Sequence, residues 1–87
     1  MKKYKIEWKK SAVKELLNID KKHISAIIKQ IDNLVENPTP IGTKKLVGTE
    51  KTYRLRIGDY RIIYEVDADK IIIRIVRVRH RKDVYRK

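Results

Sequence analysis

Every arginine of this chain lies in its second half, at Arg54, Arg56, Arg61, Arg74, Arg77, Arg79, Arg81 and Arg86, whereas the first half carries its positive charge on lysine. A guanidinium presents a planar fork of donors that grips phosphate in a bidentate way and stays charged at any working pH; lysine suits a solvated helix face. The second half therefore points to a polyanion. Nucleic acid fits better than a membrane, because the arginines fall on strand-like sequence and not on an amphipathic helix. Among the cations stand His80, whose ordinary pKa of about 6.5 suits proton transfer near neutrality, and Tyr85, which can stack on an unpaired base while arginines hold phosphates. Arg77, Arg79, Arg81 and Lys82 surround these two, a composition suited to single-stranded RNA. Lys44 and Lys45, in a basic stretch with Gly42 and Gly48, read either as contacts to a nucleic-acid backbone or as a solvated loop.

The elements that must position these side chains follow from periodicity. From Thr52 apolar and polar residues alternate: Tyr53-Arg54-Leu55-Arg56-Ile57, then Gly58-Asp59, then Tyr60-Arg61-Ile62-Ile63-Tyr64-Glu65-Val66. Gly-Asp between two such runs marks a two-residue hairpin turn, with glycine supplying the positive φ of a type I′ or II′ turn. That turn predicts the pairs Ile57 with Tyr60, Arg56 with Arg61, Leu55 with Ile62, Arg54 with Ile63 and Tyr53 with Tyr64. One face then carries apolar side chains for a core, and the other carries Arg54, Arg56 and Arg61 around Ile63 and Glu65. Arg56 and Arg61 meet directly, a like-charge pair that costs about 0.2–1 kcal/mol unless an anion or nearby acids such as Glu65 and Asp59 relieve it. Extending the register through a second turn, Asp67-Ala68-Asp69-Lys70, puts Arg74 on this same face, subject to any bulge.

Upstream, Tyr4, Ile6 and Trp8 alternate with charged residues as a first strand. Ser11 is placed to cap a short helix with Ala12, Val13, Leu16 and Leu17 on one face, and Asp20 to cap a second. In that second helix Ile24, Ile27, Ile28, Ile31, Leu34 and Val35 repeat at helical spacing until Asn37-Pro38 stops it, with His23 on the polar side. The predicted architecture is α+β in two layers: β-α-α-β-β-β, a helical hairpin on a mainly antiparallel four-stranded sheet, with residues 41–51 as a loop.

The chain has 87 residues, a formal net charge of +12 and no cysteine. It has room for one domain, spanning 1–87, and for neither a disulfide framework nor a cysteine-based zinc site. No secretory leader or membrane-length apolar run is visible, so a cytoplasmic location without membrane association is expected. A charge-rich thermophile surface is the alternative to polyanion binding, but such surfaces balance their signs. No phosphate-cradling glycine loop, Ser/His/Asp series or catalytic carboxylate pair is present, and no cofactor is implied.

Taken together, the helical hairpin with its Asn-Pro stop, the basic stretch Lys44-Lys45-Leu46-Val47-Gly48, the hairpin Gly58-Asp59-Tyr60-Arg61-Ile62-Ile63-Tyr64 and the ending His80-Arg81-Lys82-Asp83-Val84-Tyr85 resemble the RelE side of the RelE/ParE toxin superfamily over nearly the whole chain. The resemblance implies the toxin of a type II toxin–antitoxin pair, a metal-independent endoribonuclease that cuts messenger RNA in the ribosomal A site and is silenced by a RelB-like antitoxin. Its partners would be that antitoxin, the ribosome and mRNA. Arg61 matches the family's hairpin arginine, implying a phosphate clamp; Arg81 matches the one near the C-terminus, implying stabilisation of the transition state and leaving group. Tyr85 matches the terminal tyrosine that stacks on or orients the scissile nucleotide. Arg54 and Arg56 stand where well-known members carry lysines. Since arginine keeps its proton, these two act electrostatically, and His80 becomes the candidate proton acceptor. Two other readings stay open: a ParE-like gyrase poison, and a basic domain that binds RNA without cutting it.

Overall fold

One residue, Lys9, separates strand β1 (Lys5–Trp8) from helix α1 (Lys10–Leu17). The structure, a computed structural model, describes residues 3–80. Lys9 serves both elements: its N–H donates to the Ile75 carbonyl at 2.9 Å, and its own carbonyl accepts from Ala12 and Val13. The strand therefore feeds straight into the helix. Ser11 falls inside the first turn and caps nothing, and no side chain caps this end. α1 buries Ala12 and Leu16, while Val13 and Leu17, expected on the same face, are 36% and 70% exposed. A two-turn helix packed along its i, i+4 line turns the next positions about 100° away from the sheet.

Helix α2 (Lys21–Asn33) follows after a short turn. Asp20 does occupy its N-cap position, but through the backbone: its carbonyl accepts from His23 and Ile24, and its side chain makes no capping bond. Ile27, Ile31 and Leu34 form a buried stripe at i, i+4 and i+7, each worth about 1.5–3 kcal/mol on burial. Opposite them the sheet contributes Leu55, Ile62, Tyr64, Ile73, Ile75 and Val78 to a single core.

Among the described residues the sheet has five strands, in the order β1-β5-β4-β3-β2. β3 (Thr52–Ile57), β4 (Tyr60–Asp67) and β5 (Ile72–His80) form an antiparallel meander. β1 joins β5 in parallel at one edge, and β2 (Lys44–Lys45) joins β3 antiparallel at the other. The two-layer α+β arrangement matches the expectation, with one strand added. β2 is drawn from the stretch expected to be a loop, where it covers the outer edge of β3. A two-residue strand is too short to leave an alternating pattern.

All five expected hairpin pairs are present, Arg56 opposite Arg61 included. Of the two turn residues only Gly58 has positive φ, +58°, as a type II′ turn requires. In the next turn the Lys70 N–H donates to Asp67 Oδ1 at 3.1 Å, a bond that holds the Asp67 carboxyl below its usual range. β5 carries a bulge. Ile63 pairs with Arg77 but Tyr64 pairs with Ile75, so Val76 is the extra residue. Midway along β4, the Tyr64 hydroxyl donates to the Pro38 carbonyl at 2.6 Å, anchoring the segment after α2 to the sheet. Burial pushes this phenol above its ordinary pKa of 10.0. No described helix is long and apolar enough to cross a membrane.

Candidate nucleic-acid interface

Residues paired across neighbouring strands project to the same side of a sheet, so the register sorts the face turned away from the helices into rows. The first row, at the hairpin end, is Arg56, Arg61 and Arg79 on β3, β4 and β5. The second is Lys44, Arg54, Ile63 and Arg77. The third is Thr52, Glu65, Arg74 and Glu7. The rows differ sharply in how their charges are met. Arg74 lies between two carboxylates, 3.6 Å from Glu7 and 3.9 Å from Glu65. Arg77 is 3.5 Å from Glu15 of α1. Among the described residues, Arg56, Arg61 and Arg79 enter no ion pair.

Arg61 stands at the centre of that uncompensated row and is only 9% exposed. Its Nε is buried with no hydrogen-bond partner among the described residues. A buried donor left unsatisfied costs about 1–3 kcal/mol, more when it is charged. The like charges on either side increase that cost. A bound phosphate removes both penalties together, since its oxygens accept from the guanidinium and its charge offsets the row.

Several residues singled out in the sequence are separated here. Lys44 pairs with Arg54 and shares the arginine face, whereas Lys45 pairs with Tyr53 and lies on the helix side. His80 pairs with Tyr60, on the helix side of the sheet, and its ring meets that of Tyr60 edge-on at 5.1 Å. Tyr60 in turn lies 5.5 Å from the His23 ring. The expected placement of His80 beside the phosphate-gripping arginines is therefore corrected: the sheet stands between its ring and Arg61. The bulge at Val76 is the cause, because one extra residue exchanges the two faces for everything after it. Arg81, Lys82 and Tyr85 lie outside the described residues.

One participant was not legible in the sequence. Glu15 of α1 accepts the Val78 N–H through Oε1 at 2.9 Å while its Oε2 meets Arg77. Only the side-by-side packing of α1 and the end of β5 joins residues so far apart in the chain.

Comparison with known proteins agrees with this architecture. Residues 6–85 match the family described as the ParE toxin of the type II toxin–antitoxin system parDE. The chain is 39% identical over 85 residues to the toxin RelE3 of Methanocaldococcus jannaschii, covering 93% of this chain and 94% of that one. The archaeal RelE–RelB complex from Pyrococcus horikoshii superposes with a TM-score of 0.82 at 33% identity, over 91% of this chain and 96% of that one. The RelB–RelE antitoxin–toxin complex from Methanococcus jannaschii superposes with a TM-score of 0.75 at 30% identity, over 91% and 94% respectively. With the family match, the relatives and the fold in agreement, the chain belongs to the RelE/ParE superfamily of type II toxin–antitoxin toxins.

Proposed function

We propose that this toxin is a ribosome-dependent mRNA endonuclease whose arginine face holds the scissile stretch of the message. The observation that carries the reading is Arg61, buried, its Nε without a partner among the described residues, between two arginines that no described acid neutralises. In the proposed reaction the 2′-hydroxyl attacks the adjacent phosphate, the 5′-oxygen leaves with a proton, and the product ends in a 2′,3′-cyclic phosphate. Arg61 clamps the phosphate, and Arg54, Arg56 and Arg79 stabilise the charge that grows on it. Arg81 stabilises the leaving group and Tyr85 stacks on the scissile nucleotide, roles that rest on the sequence resemblance. Arginine does not give up its proton, so the row itself supplies no base. With His80 on the other side of the sheet, the ribosome supplies much of the reacting geometry, acting in the cytoplasm.

A RelB-like antitoxin is the proposed silencing partner, supported by the RelE–RelB complexes that this fold matches. An acidic chain laid over a protein of net charge +12 is the simplest complement. The test is a cell-free translation reaction in which message 5′ ends are mapped with wild-type, Arg61→Ala, Arg81→Ala and His80→Ala proteins. Cuts within A-site codons that vanish with Arg61→Ala or Arg81→Ala and persist with His80→Ala support the proposal. An intact message overturns it. ParE-like action on gyrase is the second reading, favoured by the description of the matching family, and a supercoiling assay decides it.

A further inference from the structure

β1 accompanies β5 only as far as Ile75, where the Lys9 N–H makes the last bond to the Ile75 carbonyl. Beyond that point β5 runs on through residues 76–80 with β4 on one side and, among the described residues, no strand on the other. An open edge of this kind leaves its outward N–H groups to solvent and lets the strand end fray. Here the gap is filled by one side chain. The Glu15 carboxylate lies against the edge, accepting the Val78 N–H with one oxygen and forming an ion pair with Arg77 through the other, 3.5 Å from Nε. It sits where the next bond of β1 would have been. Val78 is next to Arg79, the third member of the acid-free row, so the bond bears directly on how that arginine is presented to Arg61.

We infer that Glu15 is a positioning residue for the arginine row: its carboxylate replaces the missing strand, holds the overhanging end of β5 in register and so fixes Arg79 beside Arg61. The functional half of this inference rests on the RNA-binding reading above; the structural half does not. Glu15 touches no RNA in this scheme. It also occupies Arg77, leaving Arg79 as the cation that β5 contributes without a described acidic partner.

The experiment uses the full chain in three forms, wild type, Glu15→Ala and Glu15→Gln, with Arg79→Ala and the Glu15→Ala/Arg79→Ala double variant as references. Amide hydrogen exchange is read at Val78 and Arg79 and, as an internal control, at Ile73 and Ile75. Affinity is read with a short single-stranded RNA oligonucleotide. Glutamine keeps an acceptor for the Val78 N–H but turns the oxygen that faces Arg77 into an NH2 donor, so Glu15→Gln is expected to keep exchange at Val78 and Arg79 within about twofold of wild type while releasing Arg77. Losing a hydrogen bond to a charged group, as in Glu15→Ala, is expected to speed exchange at Val78 and Arg79 by about tenfold or more, with Ile73 and Ile75 unchanged. RNA affinity should fall to the Arg79→Ala level, and the double variant should bind no worse than either single one, as expected of two residues acting as one unit.

Faster exchange at Ile73 and Ile75 as well would overturn the inference, since Glu15 would then support the whole fold. So would wild-type affinity in Glu15→Ala, additive losses in the double variant, or Glu15→Gln matching Glu15→Ala in exchange at Val78 and Arg79. If the wild type itself binds no RNA, the RNA reading falls and the claim about Arg79 falls with it. The exchange arm still decides whether Glu15 holds the strand end.

Discussion

Arg56 and Arg61 stand directly opposite each other across the β3–β4 hairpin, and Arg79 flanks Arg61 on its other side. A fold does not gather like charges for its own stability, and this arrangement makes stability and anion binding oppose one another. Replacing Arg56 with glutamine is expected to raise stability by about 0.2–1 kcal/mol, or about 1–8 °C in Tm for a domain of this size. The same change should weaken RNA binding. Thermal melts at low salt and in 1 M salt check the cause, because the gain should shrink when charge is screened.

An anion that fills the row should stabilise the folded chain by mass action. A short single-stranded RNA, present at about 100 times its dissociation constant, is expected to add about 2.7 kcal/mol. Arg61→Ala should lose most of that increment while keeping the fold. Melting curves with and without the oligonucleotide measure it, and an equal increment in both proteins would place the binding surface elsewhere.

Lys44 and Lys45 are adjacent in sequence and lie on opposite sides of the sheet. Lys44→Ala is therefore expected to lower RNA affinity and to reduce the salt dependence of single-strand binding, the slope of log K against log salt, by about 0.7. Lys45→Ala should change neither. Affinity titrations at several salt concentrations distinguish the two, and equal effects would mean that the whole loop, and not its register against β3, meets the RNA.

Tyr64 is fully buried, and its hydroxyl donates to the Pro38 carbonyl. Tyr64→Phe leaves that carbonyl without its partner and is expected to cost about 1–3 kcal/mol, with RNA affinity unaffected. The pH dependence has a definite sign. Because burial raises the folded pKa above the ordinary value of 10.0, the stability linked to the neutral phenol is complete below pH 10 and is lost as pH rises through the folded value. Tyr64→Phe should remove this alkaline loss, which denaturant titrations between pH 8 and pH 11 would show.

What could be read from the sequence is what short-range chemistry decides. A two-residue turn with glycine first permits essentially one register, so Gly58-Asp59 set all the pairs of β3 and β4, the Arg56–Arg61 conflict among them. The helical stripe Ile27, Ile31 and Leu34 needed only periodicity, whereas the helix itself ends at Asn33, ahead of the expected stop at Asn37-Pro38. What lay beyond the sequence depended on contacts with no local signature. The bulge at Val76 sends Arg77 and Arg79 to the arginine face and His80 to the helix side; simple alternation from Arg74 would have done the reverse. No turn residue announces it, because the bulge forms where β5 adjusts to β4. Lys44 and Lys45 were divided by a pairing two residues long, and Glu15 met Val78 only because α1 lies along the edge that β1 vacates. Sequence by itself determined which side chains could grip phosphate and how the central hairpin displays them. Tertiary structure decided which of them stand without acidic partners, since charge compensation depends on which strands and helices come to lie side by side.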